Sequence, residues 1–153
     1  MPDKPILVVR PLREDDAFLK LLEQASIPFR YIPIMKILPV VKNDRDYESI
    51  ANAIDRLQQF DQVIFISANA AEIGLPIIAQ RWPELPKEID FLAVGQQTAD
   101  VFYEYNYSVS FPEKKPNTEG LLEELPQLQD LKGKSVLILR GGKGRQTLGE
   151  ELV

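Results

Sequence analysis

Short apolar runs alternate along this chain with stretches whose apolar residues recur every three or four positions, and that alternation predicts its architecture. Ile6 to Val9 reads as a first strand. A helix follows, with Phe18, Leu21, Leu22 and Ala25 on one face and Asp15 or Asp16 near its N-terminus, where a short acidic side chain caps free N–H groups. The run "IPFRYIPIMKILPV" reads as extended chain. Its prolines at 28, 33 and 39 lack the N–H that a central strand needs, so an edge strand that turns into a linker is expected. Asp46 to Phe60 predicts a helix with Tyr47, Ile50, Ala51, Ile54 and Leu57 facing inward. Gln62 to Ile66 predicts a buried strand. A helical stretch over Ala70 to Ala79 comes next, which Gly74 and Pro76 are expected to shorten or kink. Asp90 to Val94 predicts another strand, Thr98 to Tyr105 a helix, and Tyr107 to Phe111 alternates as a strand does. Beyond an exposed "PEKKP" loop, Thr118 is expected to cap a helix carrying Leu121, Leu122, Leu125 and Leu128, before the strand "SVLIL".

Strand–helix alternation of this kind implies an α/β fold: a parallel sheet with helices on both faces, flavodoxin- or Rossmann-like. Composition narrows the chemistry. The chain has no cysteine and no histidine, which removes disulfides, thiolate chemistry, most zinc and iron sites and any histidine general base. Asp/Glu–magnesium chemistry stays open, although no carboxylate cluster has the spacing of a magnesium site. The apolar runs are far too short to span a membrane and the N-terminus lacks a signal region, so a cytoplasmic protein with no membrane partner is expected. A net charge of −5 argues against nucleic acid as a partner. The charge is uneven, however: Lys132 to Arg145 holds five basic residues and no acidic one.

In such sheets, ligands gather beyond the carboxyl ends of the strands. Four loops follow predicted strands: Arg10-Pro11, Ser67-Ala68-Asn69-Ala70, Gly95-Gln96-Gln97-Thr98, and Arg140-Gly141-Gly142-Lys143-Gly144-Arg145. Each is expected to offer N–H groups at or near a helix start, where the helix dipole favours anions. The last loop fails the Walker A spacing, because Lys143 is followed by Gly144 rather than Ser or Thr, and it fails the dinucleotide fingerprint. Two forked guanidinium groups, Arg140 and Arg145, suit carboxylates instead. Taken singly, each loop also has a plainer reading. Ser67 or Asn69 can be a helix cap, Gly95 a turn glycine beside a capping Thr98, and Arg10 a charge at a strand end. A non-enzymatic anion- or nucleotide-binding flavodoxin-like module therefore stays open beside an enzyme.

Taken together and in order, "VVRP", "FDQVIFISANAAE", "FLAVGQQTADVFYEYNY" and "NTEGLLEEL…LKGKSVLILRGGKGRQTLGEEL" resemble the uroporphyrinogen-III synthase family over essentially the whole chain. The resemblance implies two α/β domains joined by an extended connector. Residues 1–36 would open a discontinuous domain one, 32–41 would supply a connector strand, and 37–153 would form domain two. It implies a lyase of tetrapyrrole and heme biosynthesis that needs no metal and no cofactor. Its substrate would be hydroxymethylbilane, which loses water and closes with ring D inverted to give uroporphyrinogen III. The family's substrate-binding motifs fall on Arg10, Ser67, Ala68, Asn69, Gly95, Gln97, Thr98, Arg140, Gly141 and Arg145; no catalytic side chain is assigned. Full members are longer, and a tyrosine that many carry would fall after Val153. The chain is accordingly expected to be truncated inside the last helix of domain two, with little or no turnover by itself. Strand Ile6 to Val9 would then keep open edges, and a dimer through it is expected.

Overall fold

The computed structural model of this chain describes residues 4–11 and 16–141. The chain divides into two compact units, Met1–Pro39 and Val40–Val153.

The first unit is a single β-α-β element. Strand β1 (Ile6–Arg10) leads into helix α1 (Ala17–Gln24), which returns the chain to strand β2 (Phe29–Pro33). The two strands pair in parallel, Ile6 opposite Phe29 and Arg10 opposite Pro33. Asp16 caps α1, its Oδ1 accepting the Phe18 N–H at 2.9 Å. Pro33 ends β2, and residues 34–41 carry no regular structure, as a proline-punctuated linker should. Val8 and Leu22 are buried, whereas Leu7 and Val9, which alternate with Val8, stay 58% and 46% exposed. One face of this small sheet is therefore left open.

The second unit is a three-stranded parallel sheet in the order β4-β3-β5: Asp90–Ala93, Gln62–Phe65 and Val136–Leu139. Helix α2 (Tyr47–Asp55) and a 3-10 turn at Leu57–Gln59 precede β3. Helix α3 (Ala68–Arg81) joins β3 to β4, α4 (Gln96–Tyr103) follows β4, and α5 (Thr118–Glu124) leads towards β5. Alternate residues of each strand feed opposite cores, as the two-residue repeat of a strand requires. Val63, Phe65 and Phe91 face one way, into a cluster with Ile54, Leu57, Ala71, Leu75, Ile78 and Phe102. Ile64 and Leu92 face the other way, against Leu121, Leu125 and Leu128. Helices thus cover both faces of the central strand. The rings of Phe65 and Phe102 meet edge to face at 4.9 Å, and Phe91 stacks on Tyr107.

Three local expectations are corrected. Helix α3 is not short; it is the longest described helix, at 14 residues. Gly74 sits where the Phe65 ring presses on the helix, so its missing side chain serves packing, and Pro76 lies on the exposed side, where water can take up the carbonyl it leaves unbonded. Asn117 rather than Thr118 caps α5, its side-chain oxygen accepting the Gly120 N–H at 2.8 Å. Tyr107 to Phe111 makes only a single bridge, Ser110 beside Leu92, because Pro112 stops the ladder one residue past Phe111.

Candidate functional site

The register of the second sheet fixes where its loops begin. Phe65 lies opposite both Ala93 and Leu139, so β3, β4 and β5 end level. The Val94 N–H donates to the Phe65 carbonyl and the Ile66 N–H to that of Leu139, which carries the alignment just past the strands. Ser67–Asn69 therefore emerge at the centre of one sheet edge, with Gly95–Thr98 on one side and Arg140–Gly141 on the other. Neighbouring strands lie about 4.8 Å apart, so the row spans about 10 Å at its base.

Each loop brings a distinct group. Ser67 caps α3: its Oγ accepts the Ala70 N–H at 3.1 Å and its carbonyl accepts that of Ala71. The hydroxyl is thus engaged in holding the helix start, and Ala68 and Asn69 occupy the leading turn. At β4, the Gly95 carbonyl accepts the N–H groups of both Thr98 and Ala99, which starts α4 without a side-chain cap. Thr98 is buried, so its hydroxyl is turned inward, while Gln97 is exposed. The Gln96 amide is tied to Asp100 at 2.6 Å. Gly95 is extended, with φ 175°, a backbone open to any residue. It is glycine for another reason: a Cβ there would lie 2.7 Å from the Pro116 Cβ. Arg140 leaves β5 exposed, and among the described residues no atom outside the adjoining ones lies within 4 Å of where a Gly141 Cβ would stand. Arg145 lies outside the described residues.

Arg10 belongs to the first unit, at the carboxyl end of β1. Its guanidinium donates to Asp16 at 2.8 Å and lies 5.4 Å over the Phe18 ring. The Asp16 carboxylate that receives it is buried. The sequence marked Asp15 or Asp16 as a cap, but nothing in the spacing showed that the cap and Arg10 form one pair. A second group also escaped sequence reading. The Glu124 carboxylate accepts three consecutive N–H groups, those of Glu113 and Lys114 at 3.0 Å and of Lys115 at 2.8 Å. The Lys114 N–H above all, then those of Lys115 and Glu113, holds the Glu124 carboxyl below the usual carboxylate range. Among the described residues no three Asp, Glu, His or Cys side chains gather to hold a metal ion, and no helix is long and apolar enough to cross a membrane.

A parallel sheet with helices on both faces and a level carboxyl edge defines a protein of the α/β class. The uroporphyrinogen-III synthase HemD family model matches residues 5–153, and the chain belongs to that family. It is 29% identical over 151 residues to the uroporphyrinogen-III synthase of Salmonella typhimurium and 28% identical to that of Escherichia coli, covering 96% of this chain and 58% of each relative. The Proteus mirabilis synthase is 28% identical, with 72% of its length covered. The chain thus spans little more than half the length of the first two relatives. Among solved structures, the uroporphyrinogen III synthase of Thermus thermophilus aligns over 96% of this chain and 56% of its own, with a TM-score of 0.51 at 18% identity, a likeness of fold.

Proposed function

We propose that the level carboxyl edge of the second sheet binds the carboxylates of a tetrapyrrole, and that the protein takes part in making uroporphyrinogen III from hydroxymethylbilane. The observation that carries this reading is the row of Ser67–Asn69, Gly95–Thr98 and Arg140–Gly141 along one edge of a chain of this family. The substrate bears four acetate and four propionate groups, and helix starts with an arginine match their charge. Loss of water from the hydroxymethyl group gives an azafulvene-like species. Holding that species folded lets ring D invert before simple closure, so catalysis is chiefly positioning. Arg10, beyond its ion pair, and Arg145 are further candidates for carboxylate contacts. No metal or cofactor enters these steps, and the reaction is placed in the cytoplasm with no nucleic acid involved.

We further read residues 1–36 as the opening of a discontinuous first domain, 32–41 as the connector and 37–153 as domain two; the division of the chain after Pro39 lies close to that boundary. Separation of the type I and type III isomers formed from fresh hydroxymethylbilane tests the reading. The assay uses a protein carrying this sequence at the full length of its relatives. Type III above the uncatalysed background is expected. Type I alone, as uncatalysed closure gives, overturns the synthase reading and returns the chain to an anion-binding module.

A further inference from the structure

We infer that Glu124 is a positioning residue for the Gly95–Thr98 part of the carboxylate site, acting through the loop at residues 113–117. This rests on the proposed function and adds to it a group outside the row of site loops.

The loop reaches the site because Ser110 bridges to β4. The Ala93 N–H donates to the Ser110 carbonyl and the Ser110 N–H to that of Phe91, so the chain runs alongside β4 towards its carboxyl end. Pro112 is then fully buried. Beyond it, three successive N–H groups turn onto the single Glu124 carboxylate. The loop lies so close on α5 that a side chain at Gly120 would overlap the Lys115 carbonyl oxygen. Asn117 closes it by capping α5. What the fold presses onto Gly95 is Pro116, with its Cβ 2.7 Å from where a Gly95 Cβ would stand. The turn that starts α4 therefore has Pro116 as one wall, and Glu124 holds that wall in place. Three converging N–H groups left without an acceptor would seek water, and the loop would loosen from the α4 start. Lys115 is tied to Glu123, which braces the same loop from its side chain.

The test measures binding of uroporphyrin, a stable octacarboxylate tetrapyrrole, to the intact chain by porphyrin fluorescence. Glu124→Gln keeps the side chain's size but replaces one accepting oxygen with a donor facing donors. It is expected to weaken binding about fivefold to tenfold, the scale of coupling between contacting groups. Thermal unfolding measured alongside must show the variant folded at the assay temperature. A second, independent route moves the wall from the other side. Gly95→Ala is expected to weaken binding in the wild-type background and to cost clearly less in a Pro116→Gly background, where the opposing Cβ is gone. That cycle carries the test if Glu124→Gln does not fold. Wild-type binding with unchanged affinity in Glu124→Gln overturns the inference alone, as does a Gly95→Ala penalty that Pro116→Gly leaves intact. Absence of saturable wild-type binding overturns both the inference and the carboxylate reading beneath it.

Discussion

Single residues here hold backbone more than they present chemistry. Ser67, Asp16 and Asn117 each satisfy the N–H groups that begin a helix, and Glu124 does the same for a loop. Asp61 is a further case, at the opposite sheet edge. Its carboxylate accepts the Ser135 N–H at 2.7 Å and faces the Lys134 ammonium at 3.5 Å, so it ties the start of β3 to the start of β5. The Ser135 N–H first, and then the Lys134 charge, holds its carboxyl below the usual range. A depressed folded-state value means the ionised form favours the folded chain. Its contribution is therefore complete above the unfolded value of about 3.9 and fades as pH falls through the folded one. Asp61→Asn is expected to unfold at lower denaturant than wild type at pH 7, with the gap closing as the pH is taken towards 2. Denaturant midpoints across that range check the sign, and a gap that widens in acid contradicts it.

At the scale of elements, β3 and α3 connect fold to site most directly. Ser67 ends the strand turn and caps the helix, so one residue sets both the direction of α3 and the first N–H groups of the row. Ser67→Ala is expected to cost about 1 kcal/mol of stability and Ser67→Gly only a few tenths, because glycine leaves the N–H groups open to water. Chemical denaturation of the two variants measures the difference, and equal losses would remove the capping role. Strands and helices of this unit were legible in the sequence because their apolar spacing is unambiguous: Val63-Ile64-Phe65 is buried throughout, and Leu121 and Leu125 lie one turn apart. That these loops follow strands was legible too; that the strands end level came only from the register. What spacing could not show is which partner an element meets across space. Gly74 and Pro76 read as breakers because the Phe65 ring that makes use of Gly74 comes from another element. Thr118 read as the cap because it and Asn117 are both good caps, and only the backbone turn decides between them. Glu124 gave no signal at all, being one of two adjacent glutamates on a polar helix face. Its three N–H partners depend on how "PEKKP" folds back.

The molecule as a whole carries its polar edge and its apolar excess in different units. The row of site loops belongs to Val40–Val153, whereas Ile6, Leu7, Val9, Ile32, Ile34, Met35 and Leu38 of Met1–Pro39 are all exposed. Parallel sheets are normally covered on both faces, and an open apolar strand pair favours another chain. We propose that this chain self-associates through its N-terminal strands. Light scattering is expected to give a mass above that of one chain, and Leu7→Lys with Val9→Lys is expected to lower it; a clean monomer for the wild type rules this out. The central claim concerns the other unit: that its carboxyl edge is a site for tetrapyrrole carboxylates. Titration of uroporphyrin against wild type and Arg140→Ala, each at low and high salt, tests it most directly. Saturable binding is predicted, weakened by salt and about tenfold weaker in Arg140→Ala, the loss expected for a charge-assisted contact. Binding that does not saturate, or an affinity indifferent to both salt and Arg140, would contradict it.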